Sequence, residues 1–288
     1  MKQTYLFLMI MLWATLAVAQ APFITTYEVE EGDLDITIGT NSSVSGYSYT
    51  VDFGDGTVFT DQWTDRSHVY AEAGVYTVSI SGNYPKAQQK SNSAKKLKSI
   101  EQWGDIEWKS MYLAFYGCSN LVVNATDAPD LSQVNSLRSM FYGCSSITTL
   151  PGLETWDTSK VITLQSMFSG CTSITTLPGI ETWDVSNVIN MEKMFSGATN
   201  FNQSLNDWDV SSVTSVNEMF SGATNFNQPL NSWDFSGLTS SRRMFKDAIS
   251  FNQPLNKWDV SNISTMDEIF YGATSFNQPL NAWDVSNV

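Results

Sequence analysis

The sequence predicts a two-part chain: a small all-β sandwich followed by an α/β right-handed solenoid with units of about 25 residues. Three observations carry this. Residues 20–82 alternate apolar and polar side chains, the period of a half-buried strand. Trp-Asp pairs then recur at Trp156, Trp183, Trp208, Trp233, Trp258 and Trp283, spaced by 27 and then four times by 25 residues. Between the pairs, apolar residues stand three and four apart, the period of a short helix.

The first residues read as an address. Lys2 precedes an apolar run over 6–17, and Ala17-Val18-Ala19 supplies the small residues of a cleavage site before Gln20, so residues 1–19 are expected to be a secretory signal peptide. That run is shorter than the roughly 20 apolar residues a membrane span needs, and no span is expected elsewhere. In residues 20–82, Leu34-Asp35-Ile36-Thr37-Ile38, Tyr47-Ser48-Tyr49-Thr50-Val51 and Val75-Tyr76-Thr77-Val78-Ser79-Ile80 read as strands. Gly32-Asp33, Asp52-Phe53-Gly54-Asp55-Gly56-Thr57 and Glu72-Ala73-Gly74 read as turns, because Gly tolerates positive φ and Asp bonds its own backbone. The stretch Val51-Asp52-Phe53-Gly54-Asp55-Gly56-Thr57, with His68-Val69-Tyr70 and Gly74-Val75-Tyr76-Thr77-Val78, resembles the polycystic-kidney-disease (PKD) type of immunoglobulin-like domain.

Residues 83–98 carry Lys86, Lys90, Lys95, Lys96 and Lys98 among Gln, Ser and Asn, and read as a solvated linker. Residues 99–288 hold the repeat. Eleven residues after each Trp comes Met167-Phe168, Met194-Phe195, Met219-Phe220, Met244-Phe245 or Ile269-Phe270, and weaker copies end at Ala114-Phe115 and Met140-Phe141. Within one unit Val188, Met191, Met194, Phe195 and Ala198 would share one helix face, with Asp184-Val185-Ser186 capping its start and Gly197 ending it. A short extended piece such as Phe201-Asn202-Gln203-Ser204-Leu205 would follow, irregular where Pro229, Pro254 and Pro279 remove a donor. Phe226-Asn227-Gln228-Pro229-Leu230-Asn231-Ser232-Trp233-Asp234, with the Met-Phe-Ser-Gly-Ala tail, resembles the BspA-type leucine-rich repeat surface proteins of bacteria. That resemblance implies a leucine-rich-repeat-like solenoid and a surface-exposed or secreted protein engaged in adhesion or macromolecular binding. The final unit stops at Val288 before its expected helix, which reads as a truncated unit of a longer chain.

Charge and composition exclude several functions. The chain has 15 Lys and Arg against 29 Asp and Glu, a formal charge of −14, which disfavours nucleic acid. One histidine, His68, leaves little for acid–base catalysis, and its place beside Tyr70 suits a structural role. The row Asp157, Asp184, Asp209, Asp234, Asp259 and Asp284 could supply oxygens to Ca²⁺, but one carboxylate per unit fits a turn or capping residue better than the dense spacing of calcium loops. Asp52 and Asp55 divide the same way, so no metal site is assigned. The Trp row reads as core rather than as a sugar platform, and Asn202, Asn227, Asn252 and Asn277 as residues that bond backbone between units. Cys118, Cys144 and Cys171 stand where Ala198, Ala223, Ala248 and Ala273 stand later, which predicts small, buried, free thiols; one pair stays open if the segment is not helical. No catalytic residue and no cofactor is expected, and no binding residue is assigned. The expected function is non-catalytic binding of an extracellular protein or glycan at the cell surface. The alternatives are an architectural surface component or a hydrolase using paired carboxylates. Ligand and oligomeric state stay open.

Overall fold

The computed structural model describes residues 20–288, so the expected signal segment 1–19 lies outside the described residues. Nine short strands are formed: β1 (Phe23–Val29), β2 (Asp35–Gly39), β3 (Ser48–Asp52), β4 (Val58–Gln62), β5 (Arg66–Val69), β6 (Gly74–Asn83), β7 (Gln88–Gln89), β8 (Leu97–Gln102) and β9 (Val122–Val123). They make a six-stranded sheet in the order β4-β3-β6-β1-β8-β9 and a three-stranded sheet in the order β5-β2-β7. The alternation read from the sequence is the burial pattern of β1, whose every second residue from Phe23 to Val29 is buried. Gly54 closes the turn between β3 and β4 at φ 79°, and a Cβ there would lie 2.3 Å from the Thr77 carbonyl oxygen, so only glycine fits.

Residues 83–98 are not a solvated linker. Tyr84, Lys86 and Ala87 are buried, β7 pairs with β2, and the helical turn α1 (Ser91–Ala94) leads into β8, which pairs with β1. The lysines are drawn in because the sheets present carboxylates. Lys96 reaches Asp33 at 2.5 Å, Lys90 reaches Asp65 at 2.8 Å and Lys98 reaches Glu28 at 2.9 Å. On its far side β8 pairs in parallel with β9, through Ser99–Val122 and Ile100–Val123. One sheet therefore carries the backbone register from the sandwich into the repeat, and the two share a core. Phe23 of β1 packs against Trp103 and Trp108 with ring centres 5.8 Å and 5.3 Å away.

The expected α/β leucine-rich-repeat solenoid is absent. Beyond residue 103 the described chain holds only β9 and two three-residue 3₁₀ turns, Leu153–Thr155 and Ile180–Thr182; Met191 to Ala198 is not helical. Each unit instead folds into a tier of consecutive β-turns. The amides of Val188, Met194, Ala198, Phe201 and Trp208 bond back to the carbonyls of Val185, Met191, Phe195, Ala198 and Leu205, three residues earlier. The first and last residues of each turn are the apolar ones and all are buried, while the middle residues face outward. A spacing of three thus arises from turn ends as readily as from a helix face.

Alternate amides look the other way. Met191, Lys193, Phe195 and Gly197 donate to Ser215, Asn217, Met219 and Ser221 of the next tier, at 3.1, 2.8, 2.9 and 2.7 Å. Backbone polar groups are satisfied half within a tier and half between tiers, as burial demands. Single parallel bridges Ser136–Thr163–Asn190–Ser215–Ser240–Thr265 keep the tiers in register. The price is conformational: each first turn puts a non-glycine residue at positive φ, namely Leu113, Ser139, Ser166, Lys193, Glu218, Arg243 and Glu268, at φ of 54–59°.

Candidate functional site

The inward rows are occupied by packing. Phe168, Phe195, Phe220, Phe245 and Phe270 stack tier on tier with ring centres 5.7–5.9 Å apart, and Phe201, Phe226, Phe251 and Phe276 repeat the arrangement at 5.9–6.0 Å. The Trp row is core as well. Trp208, Trp233 and Trp258 are at most 4% exposed, and each indole donates 2.8 Å to a carbonyl of the preceding tier, from Ile180, Leu205 and Leu230. Asn227, Asn252 and Asn277 each donate their amide 2.9 Å to the side-chain oxygen of Asn202, Asn227 and Asn252. This polar ladder joins the tiers where Pro229 and Pro254 have no N–H to offer.

Every member of the Asp row closes a turn on itself. Asp184 accepts from the Ser186 amide at 3.1 Å and its hydroxyl at 2.6 Å, and the same bonds recur at Asp209 and Asp259. Asp157, Asp234 and Asp284 accept from the serine amide two residues on at 2.9–3.0 Å. The serine bonds lower the carboxyl pKa of Asp157, Asp209, Asp259 and Asp284. The capping part of the expectation falls with the helix; the turn part is what the geometry contains. Asp130, overlooked in the sequence because no Trp precedes it, closes the same turn on Ser132 at 2.9 Å. Among the described residues no three His, Cys, Asp or Glu side chains gather where they could hold a metal.

Cys118, Cys144 and Cys171 are buried and free. They are closer than a helical repeat would place them, since one bridged tier follows another at about 4.8 Å. The Cys144 and Cys171 thiols point back to the Phe115 and Phe141 carbonyls at 3.1 and 3.0 Å, and burial raises the Cys171 pKa to about 12. His68 is held 2.6 Å from Asp55 with its ring 4.6 Å from those of Phe53 and Tyr70, while Asp52 and Asp55 each accept from a turn amide.

What is left for recognition is a face on which residues change from tier to tier. It is built from three adjacent rows around the positive-φ residue, and it was not assigned from the sequence because one sequence does not rank the variable positions of a repeat. At its early end Tyr112 sits under the Arg138 guanidinium and Lys86 ammonium at 5.6 and 5.1 Å, and Tyr116 and Tyr142 stack at 4.7 Å while 48% and 36% exposed. Its middle holds Glu192, which accepts from Gln165, Ser215 and Asn217 at 3.0, 2.7 and 3.2 Å. At its late end charge alternates along Lys193, Glu218, Arg243 and Glu268, with pairs at 3.5 Å and 2.9 Å. Arg243 grips Glu268 through two bonds, of 2.9 and 3.1 Å, and Lys246 adds a third of 3.3 Å. The Arg243 bonds first, and then Lys246, hold the Glu268 carboxyl at about 2. These groups offer ordered aromatic and charged contacts.

A family model for the PKD domain matches residues 18–95. A second, described as "Mycoplasma protein of unknown function, DUF285", matches residues 109–224 and 205–288. Neither a curated protein nor a solved structure matches the chain. No described helix is long and apolar enough to cross a membrane. The second model covers more than half of the chain, across the tiers that carry the variable face, so the chain belongs to the DUF285 family, with a PKD domain ahead of the family's repeat.

Proposed function

We propose that this is a non-catalytic, secreted or cell-surface protein that binds an extracellular macromolecule through the variable face of its tiers. One observation carries the reading: the inward Phe and Trp rows and the Asn ladder recur from tier to tier, whereas two outward rows change, one from Tyr116 and Tyr142 through Ser169, Ser196 and Ser221 to Lys246 and Tyr271, the other from Leu113, Ser139 and Ser166 to Lys193, Glu218, Arg243 and Glu268. A rigid scaffold with a changing outer face suits recognition, because ordered side chains lose little entropy on binding. The PKD domain and the DUF285 repeat support a surface-type protein.

The test is an array of extracellular-matrix proteins and glycans probed with the mature chain, alone and with chelator. A saturable hit is expected that survives chelation, because each carboxylate of the Asp row is already engaged by its own serine. The double variant Arg138→Ser, Tyr142→Ala is expected to weaken it at least about tenfold without a change in Tm. A blank from folded protein, or a hit indifferent to substitutions at both ends of the face, would sink the proposal.

A further inference from the structure

The sandwich carries a second feature, independent of the tier face. Trp63, between β4 and β5, is 73% exposed, the most exposed large apolar side chain among the described residues. Trp103, Trp108, Trp156, Trp183, Trp208, Trp233 and Trp258 are all buried. Trp63 stands at the mouth of an open cleft of about 350 Å³ between the β2–β3 loop and the β4–β5 turn, lined also by Thr40, Asn41, Ser42, Ser45 and Thr64. A second hollow shares Thr40, Asn41, Ser42 and Thr64 and continues toward Asp65, Gln88 and Lys90.

The walls are fixed before any ligand arrives. The Tyr49 hydroxyl donates to the Thr64 carbonyl at 2.8 Å, and the Thr40 amide and hydroxyl donate to Asp65 at 2.7 and 2.9 Å. The Asn41 side-chain amide donates to Gln88 at 2.6 Å, and the Asn41 backbone amide donates 2.9 Å to the Tyr47 hydroxyl. Tyr47 in turn donates to the Lys86 carbonyl at 2.8 Å, and Asn83 holds the Gly46 carbonyl. The charge is closed internally as well, since Lys90 sits 2.8 Å from Asp65. The hydroxyls of Ser42, Ser45 and Thr64 make no hydrogen bond to the described chain, so three groups that both donate and accept remain on the rim.

We infer that this cleft binds an uncharged glycan, with a pyranose ring laid on the Trp63 indole and its hydroxyls meeting Ser42, Ser45 and Thr64. The exposed indole supplies a flat apolar surface for the C–H face of a sugar. The rim offers the paired donor and acceptor capacity that a polyol uses. The Asp65–Lys90 pair neutralises the adjoining hollow, and the charge left beside the cleft is the Lys109 ammonium near Gly46, which no carboxylate of the cleft lining meets. A proline-rich peptide fits less well, because such grooves are lined by several exposed aromatic rings, whereas here Trp63 alone is exposed and Tyr47 is half-buried with its hydroxyl engaged by Asn41 and Lys86. The volume lies within the range of small-ligand clefts, near its lower end.

The experiment is titration calorimetry of the mature chain with cellotetraose, chitotetraose, xylotetraose, mannotetraose and maltotetraose at millimolar concentration, alongside sialyllactose and a proline-rich decapeptide. At least one neutral tetrasaccharide is expected to bind saturably. Trp63→Ala should weaken it at least about tenfold with Tm unchanged, and Trp63→Tyr should retain most of the affinity. The Arg138→Ser, Tyr142→Ala variant should bind it like the parent, which separates this cleft from the tier face. Absence of binding by all five sugars, binding indifferent to Trp63→Ala, or preference for sialyllactose or the peptide would each overturn the inference.

Discussion

The sharpest test of the tier architecture is to place glycine at its strained positions. Ser139 and Ser166 sit third in turns closed by Met140 to Leu137 and Met167 to Leu164 at 3.1 Å, with φ of 54° and 56°. Their amides donate to the next tier, to Gln165 and Glu192 at 2.9 and 2.8 Å, and glycine keeps those bonds. Neither hydroxyl has a partner that the substitution would orphan. A left-handed L-residue costs about 1–2 kcal/mol, and glycine's larger unfolded-state entropy returns about 0.5–1 kcal/mol of that. Ser139→Gly and Ser166→Gly are each expected to stabilise by about 0.5–1 kcal/mol, raising Tm by roughly 1–4 °C for a chain of this size. In a helix the same change would destabilise by about 0.5 kcal/mol, so the two architectures differ in sign. The assay is guanidinium unfolding, with Ser→Ala variants as controls that keep the Cβ and should stay within about 0.5 kcal/mol of the parent. Glycine variants that unfold at lower denaturant than their serine parent, with the slope unchanged, would refute the turn geometry.

Other outcomes follow from the rows. Asn227→Ala removes the acceptor for the Asn252 amide and the Gln253 side chain, at 2.9 and 3.0 Å, and should cost about 1–3 kcal/mol, with faster hydrogen exchange at the Asn252 amide as the local readout. The three cysteines should resist a thiol reagent in the folded chain and all react once it is unfolded. Burial raises their pKa, so the folded chain keeps protons that the unfolded chain loses. Their contribution to stability is therefore complete below the ordinary thiol value of 9.0 and falls as pH rises above it, toward about 12 for Cys171, measurable as a declining Tm. Glu268 runs the opposite way: its pairing with Arg243 and Lys246 contributes above the ordinary 4.5 and is lost as pH falls toward about 2. Carboxyl NMR titration should show that midpoint, and Arg243→Gln should move it back toward 4.5.

The candidate surfaces were only partly legible beforehand. The Asn ladder and the buried Trp row could be read because a residue that returns at every unit must serve something each unit shares. The variable face could not be read that way, since Tyr142 and Arg138 become neighbours of Tyr116 and Tyr112 only when a tier closes. Trp63 was not singled out in the sequence, and its exposure follows from its place between β4 and β5. The lysines of residues 83–98 are solvated in sequence terms, but pairing of β7 and β8 brings them to Asp33, Asp65 and Glu28.

By itself the sequence determined the period of the repeat, the residues that face inward and the strand text of the β-rich amino-terminal region, because periodicity and composition are local properties. It did not determine how the repeat closes. Met191, Met194, Phe195 and Ala198 satisfy a helix face and a run of turn ends equally well, and the choice falls on the backbone hydrogen bonds. A helix would satisfy all but its first four amides within one unit. In the tiers alternate amides reach the next unit instead, at the cost of left-handed serine, lysine, glutamate and arginine residues. Only stacking supplies those acceptors, so the decision belongs to tertiary structure.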